Sequence, residues 1–190
     1  MTKPVLLAIS GSLRRESYST AILMALAEAV SDRAEMRLHP LRDVPFYDQD
    51  LDTHTPPPAV SQLRQAIGGA HGIVVASPEY NHGLPGVLKN ALDWASRPYG
   101  RSTLTGKPVL TITSSPAFTG GARAHAQLNE TLASIAAPVV LRPQAVIGAV
   151  HEKIVDGRFQ DAASLDFLVA GVADLLRHVG DRVAAEREQD

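Results

Sequence analysis

The chain has 190 residues, 45% of them apolar and 20% charged, with a formal net charge of −2. That length carries one sizeable core, and the near-neutral balance gives no electrostatic reason to expect nucleic acid or an anionic membrane as a partner. Cysteine is absent, which removes disulfides, thiolate nucleophiles and Cys-ligated metals.

PVLLAIS at 4–10 is a short apolar run, too short to span a membrane and without a signal-peptide layout. It reads as a strand buried on both faces, with a cytoplasmic location as the expectation. YSTAILMALAEAV follows, where Ile22, Leu26 and Val30 stand four apart on one helix face, with Ser17 or Ser19 as N-cap. EMRLHPL at 35–41 is a more polar second strand, expected near an edge. Three prolines close a long loop over 42–58, and AVSQLRQAI at 59–67 is a helix ended by Gly68 and Gly69. GIVVAS at 72–77 is the third strand, and PGVLKNALDWAS at 85–96 the next helix, with Pro85 in its first turn. KPVLTITS at 107–114 is the fourth strand, and 122–137 a helix with Leu128, Leu132 and Ile135 on one side. The stretch 139–149 contains a fifth strand interrupted by Pro143. A small turn around Asp156 and Gly157 and a helix over 164–180 complete the order.

Strand and helix alternate five times, which predicts an α/β fold: a parallel sheet in the flavodoxin-like order 2-1-3-4-5 with helices on both faces, in a single domain over 1–190. Function in such a sheet sits at the carboxyl ends of the strands, beside the switch point. The loops at 10–19, 77–84 and 114–121 are therefore the ones to weigh.

SGSLRRESYS at 10–19 offers Gly11, four serine hydroxyls, Arg14, Arg15 and the N–H groups of a helix start. Helix N-termini attract anions, and an arginine fork neutralises phosphate. Neither G-x-x-x-x-G-K-[ST] nor G-x-G-x-x-G is present, so the pattern suits a terminal phosphate monoester rather than Mg-bound triphosphate or a dinucleotide. A polar turn with serine caps is the plainer alternative. SPEYNHG at 77–83 brings the flat ring of Tyr80, the amide of Asn81 and a close backbone approach at Gly83, stiffened by Pro78 and Pro85. It suits a flat heteroaromatic ligand; alternatively Glu79 is simply solvated and His82 incidental. Ser114 and Ser115 either donate to carbonyls of such a ligand or merely end the strand. The histidines form no H-E-x-x-H and there is no G-x-S-x-G, so a catalytic metal and a serine nucleophile lack their usual signs.

Together GSLRRESYS, SPEYNHGLPGVLKNALDW and SSPAFTGGAR resemble the NADPH-dependent FMN reductases, nearest to their quinone and chromate reductase branch. The resemblance runs over nearly the whole chain. It implies bound FMN, NADPH or NADH as electron donor, and a small-molecule acceptor such as a quinone, chromate, an azo or nitro compound or free flavin. It also implies that Ser12, Arg14, Ser17 and Ser19, with backbone through Tyr18, hold the FMN phosphate. Pro78, Glu79, Tyr80 and Asn81, with His82 at the end of the motif, would line the isoalloxazine, and Ser114 and Ser115 would meet it from the fourth strand. No side chain is expected as an obligate acid or base. Two positions depart from the family pattern: His82, and Ser19 where asparagine is common. Family members are usually dimers or tetramers, and the apolar band Val87, Leu88, Ala91, Leu92, Ala95 is wide enough to face a second subunit. The competing expectations are a flavodoxin-type electron carrier, for which a net charge of −2 is weakly acidic, and an interaction module without catalysis. Arg14, Arg15, Arg97 and Arg101 are the candidates for the 2′-phosphate of NADPH.

Overall fold

The computed structural model describes residues 3–187. Its centre is a five-stranded parallel sheet in the order β2-β1-β3-β4-β5, built from β1 (Val5–Ser10), β2 (Glu35–His39), β3 (Gly72–Pro78), β4 (Val109–Ser114) and β5 (Ala145–Ile147). Strands β1, β3 and β4 are buried along almost their whole length, as continuous apolar runs in the middle of a parallel sheet must be. The polar β2 takes one edge.

Successive residues of these strands point to opposite faces, so each strand feeds two cores. Leu7, Ile9, Ile73, Val75 and Val109 pack under α2 (Pro58–Gly69), α3 (Gly86–Ala95) and α4 (Ala122–Ser134). Leu6, Ala8, Val74, Ala76, Leu110 and Ile112 pack under α1 (Tyr18–Ala29) and α5 (Ala162–Arg187). The stripe Ile22, Leu26, Val30 is fully buried, and Ser17 is the N-cap of α1, its hydroxyl accepting from Thr20 N at 3.2 Å.

Several elements differ from expectation. Helix α2 starts at Pro58 and runs through Gly68 and Gly69, because Ile67, Leu63 and Val60 bury a face that outweighs glycine's low propensity. Helix α4 stops at Ser134, where Ala136 turns left-handed. Helix α5 extends from Ala162 to Arg187, well past 164–180. The fifth strand survives only after Pro143; before it, Val139 makes a lone parallel bridge to Val109. The 154–159 turn is a two-residue hairpin, β6 (Ile154–Val155) and β7 (Arg158–Phe159), with Asp156 and Gly157 both left-handed.

The long loop after β2 is pinned to the LKNALDW helix. Asn90 Nδ2 and Trp94 Nε1 both donate to Pro45 O at 2.8 Å, and Tyr47 N donates to Asn90 Oδ1 at 2.7 Å. Arg64 pairs with Asp52 at 2.7 Å and also donates to Trp94 O. The helix's apolar band is consumed in the same way: Leu88, Ala91, Leu92 and Ala95 are all buried inside the chain, and Val87 is half-buried against the same core. A helix wedged between the sheet, α2 and this loop needs a wide apolar face, so the band is no argument for a second subunit.

Candidate functional site

The register brings the three unusual loops together at the carboxyl ends of the strands. Ser10 pairs with Ala76 and Pro78 with Ser114, so the loops after β1, β3 and β4 open side by side.

The first loop is held by its own hydroxyls. Ser12 N donates to Ser10 Oγ at 3.4 Å, Thr20 Oγ1 donates to Ser10 Oγ at 2.9 Å, and Arg14 N donates to Ser12 Oγ at 3.3 Å. Gly11 is required by close approach: a Cβ there would stand 2.8 Å from Ser77 Oγ, closer than side chains tolerate. The N–H groups of Tyr18 and Ser19 open α1 ahead of its hydrogen-bond ladder, so they are free to meet an anion. Arg14 and Arg15 are exposed, with the Arg14 guanidinium 4.5 Å from the Tyr18 ring centroid. Ser19 is buried, and its hydroxyl has no hydrogen-bond partner among the described residues. An unpaired buried hydroxyl at the mouth of an anion-attracting helix fits a ligand that carries a phosphate.

The second loop is a tight left-handed turn. Tyr80 N donates to Gly83 O and Gly83 N to Tyr80 O, both at 3.0 Å, while Asn81 has φ 49° and His82 φ 66°. Two consecutive positive φ values define the primed type of two-residue turn. Asparagine takes this conformation readily and histidine more easily than most residues, though neither does so as freely as glycine. Contacts from helix α4 hold the turn. Glu79 Oε2 accepts from Arg123 N at 3.0 Å and from Ala124 N at 2.9 Å, Leu84 N donates to Gln127 Oε1 at 2.7 Å, and Arg123 Nη1 lies 3.2 Å from His82 Nε2. One oxygen of the Glu79 carboxylate is therefore engaged by the helix. Tyr80 stays half-exposed, and Ser77 turns its hydroxyl back to Pro78 O.

In the third loop Ser114 is buried at the end of β4, and Ser115 is half-buried with its Oγ accepting from Ala117 N at 3.1 Å. Ser115 N donates to Ile147 O, which ties this loop to β5. Phe118 is almost fully exposed at its tip. Gly121 opens α4 at φ 84°, and a Cβ on it would meet Glu79 and Thr113 at 3.2 and 3.3 Å.

The residues anticipated for the flavin thus gather at the carboxyl ends of β1, β3 and β4, in three groups: Ser12, Arg14, Ser17, Tyr18 and Ser19; Pro78 through His82; Ser114 and Ser115. Arg97 and Arg101, anticipated for the 2′-phosphate of NADPH, instead lie between α3 and β4, at the opposite end of the strands. Sequence reasoning missed Ser10 and Thr20 as struts of the first loop, and Arg123 and Gln127 as struts of the second. The pair Gly120-Gly121 was the available signal for the α4 contact; nothing in the local pattern marks Gln127. An open groove of about 1150 Å³ runs away from Arg14, Arg15 and Tyr18 along α1 to the β6–β7 hairpin, and the second and third loops take no part in it.

Known proteins match this arrangement. The family model for NADPH-dependent FMN reductase matches residues 4–152. A quinone reductase of Pseudomonas putida is 34% identical over 154 residues, covering 80% of this chain and 83% of that protein. A quinone reductase of Escherichia coli K12 is 37% identical over 162 residues, covering 83% and 86%. Among solved structures, FerB, a flavoenzyme NAD(P)H:(acceptor) oxidoreductase from Paracoccus denitrificans, superposes with a TM-score of 0.84 at 31% identity, over 94% of this chain and 98% of its own. The relatives are named as enzymes rather than electron carriers, and the fold, the motifs and the loops agree: the chain belongs to the NADPH-dependent FMN reductase family.

Proposed function

We propose that this protein is an NAD(P)H:quinone oxidoreductase whose crevice, at the carboxyl ends of β1, β3 and β4, holds FMN. The observation that carries the reading is the adjacency of an anion seat and a stiff turn at the carboxyl ends of the strands, with the buried, unpartnered Ser19 hydroxyl in the seat. Ser12, Arg14, Ser17, Ser19 and the backbone of Tyr18 take the phosphate. Pro78, Tyr80, Asn81, His82, Ser114 and Ser115 flank the ring, and Glu79 serves from behind as part of the wall.

FMN held by these residues would supply the redox chemistry, accepting hydride from a nicotinamide and passing electrons to an acceptor. The chain supplies position. Arg14 and the α1 N-terminus neutralise the phosphate, and the pinned turn keeps backbone N–H and C=O groups fixed along the ring edge. The exposed Tyr80 and Phe118 rings leave one side of the crevice open to planar molecules, so donor and acceptor use the same space in turn. No side chain is assigned as acid or base. Relatives named quinone reductases support a quinone as acceptor.

The reading extends to a single flavin-binding domain, which one sheet with a core on each face supports, and to a cytoplasmic enzyme. Among the described residues no helix is long and apolar enough to cross a membrane. A homodimer or homotetramer belongs to the same proposal, since the exposed Phe46 and Tyr99 are surfaces a second copy would cover; light scattering measures it. The activity test is direct. Purified protein should bind FMN and oxidise NADPH or NADH with 1,4-benzoquinone, giving parallel double-reciprocal plots. Protein that gains no thermal stability from FMN, or that is reduced only through a separate reductase, overturns the proposal.

A further inference from the structure

Glu79 lies in the β3–α3 loop by sequence and caps α4 in space. The N-cap of α4 is Gly121, which has no side chain to offer, although helix starts normally take that acceptor from serine, threonine, aspartate or asparagine. Glu79 provides it from across the crevice, one carboxylate oxygen accepting the N–H groups of Arg123 and Ala124. Gly121 makes room for this, because a Cβ there would stand 3.2 Å from Glu79 Cβ. The bond therefore does two jobs. It satisfies first-turn donors of α4, and it holds the residue directly before a turn in which Asn81 and His82 are both left-handed. Such a conformation is less free in asparagine and histidine than in glycine, and contacts from the surroundings hold it.

We infer that Glu79 is a positioning residue of the flavin site, setting the shape of the 80–83 turn through α4 and taking no direct part in binding the ring. This rests on the FMN reading above, and it assigns to the side chain a task different from lining the isoalloxazine. It also makes α4 part of the active-site framework: residues 121–127 move with the ring wall.

The test is FMN titration of the apoprotein by flavin fluorescence, with visible circular dichroism of the bound flavin and thermal unfolding of the apoprotein. Glu79→Ala removes the acceptor, and Glu79→Asp withdraws it by one methylene while keeping the charge. Both should weaken FMN binding by about tenfold and alter the flavin dichroism. Glu79→Gln keeps an acceptor oxygen at the same reach and should bind FMN within about threefold of the parent. If Glu79→Ala does not fold, the Asp and Gln variants decide the matter between them. Should the Ala and Asp variants unfold earlier yet bind FMN within about twofold of the parent, Glu79 is a helix cap only and the inference is overturned. Failure of the unmutated protein to bind FMN sinks the underlying reading instead, and is seen before any variant is compared.

Discussion

The first and second loops of the crevice are built on opposite principles. The 10–19 loop is braced by its own serines, with Arg42 reaching Leu13 O at 2.6 Å, and four of its residues, Leu13 to Glu16, are exposed. The 78–84 loop is braced from outside, by Glu79, Gln127 and Arg123 contacts that reach across more than 40 residues of sequence. The difference matches the ligand proposed for each loop. A phosphate is found by charge and free N–H groups, which tolerate local movement. A ring system is oriented by a surface, and a surface must be rigid before the ligand arrives to bind without an ordering cost.

Substitutions can break this contrast, ranked here by their effect on folding stability. Trp94→Ala removes a fully buried side chain that also donates to Pro45 O, and should cost about 3–5 kcal/mol in denaturant unfolding. Because the Trp94 indole hydrogen-bonds to the loop at Pro45 and to neither crevice loop, FMN affinity of the folded fraction should change little. Gly121→Ala forces a Cβ against Glu79 and Thr113 in a left-handed residue, and should cost about 1–3 kcal/mol. Here FMN affinity should fall as well, because the second loop's brace is displaced. Ser17→Ala removes the cap of α1, which should cost about 1 kcal/mol and weaken FMN binding through the first loop.

Smaller still is a dependence on pH from His125, which braces α4 itself. Thr111 Oγ1 donates to Asn129 Oδ1 at 2.8 Å and so accepts from His125 Nε2 at 3.2 Å, while Asn129 Nδ2 donates to Nδ1 at 3.2 Å. The ring is neutral in this network, and burial pushes its pKa below the ordinary histidine value, opposed in part by the bond to Thr111. The unfolded chain then binds the proton more readily, so the contribution is fully present above about pH 6.5 and is lost as pH falls towards the folded value. Urea midpoints taken between pH 8 and pH 5 should decline on the acid side, less steeply in His125→Gln. The smallest effect is Arg14→Gln, within about 0.5 kcal/mol of the parent in stability, since the side chain is exposed. Its FMN affinity should nonetheless drop and lose part of its salt dependence.

Much of this molecule is legible in the chain. Continuous apolar runs at 4–10, 72–77 and 107–114 separated by helical periods dictate a parallel sheet, and with it the end at which the loops open. Boundaries were less legible where two influences compete, as in α2, where burial of Ile67 carries the helix past glycines that normally end one. The wide apolar band of α3 was also ambiguous, because a sequence pattern states that a face must be covered without saying by what; the loop around Pro45 and Tyr47 covers it.

The sequence by itself determined the sheet, the anion-seeking composition of the first loop and the position of residues 77–83 at a strand's carboxyl end, since these follow from local periodicity and residue chemistry. Only the tertiary structure decided what holds the site in shape. Glu79 reads locally as a solvated carboxylate and Gln127 as an exposed helix residue; their roles exist only because parallel strands lay β3 beside β4, and so place the start of α4 against a turn more than 40 residues away. His82 likewise takes its meaning from Arg123 and a left-handed backbone, neither of which its neighbours in the chain can specify.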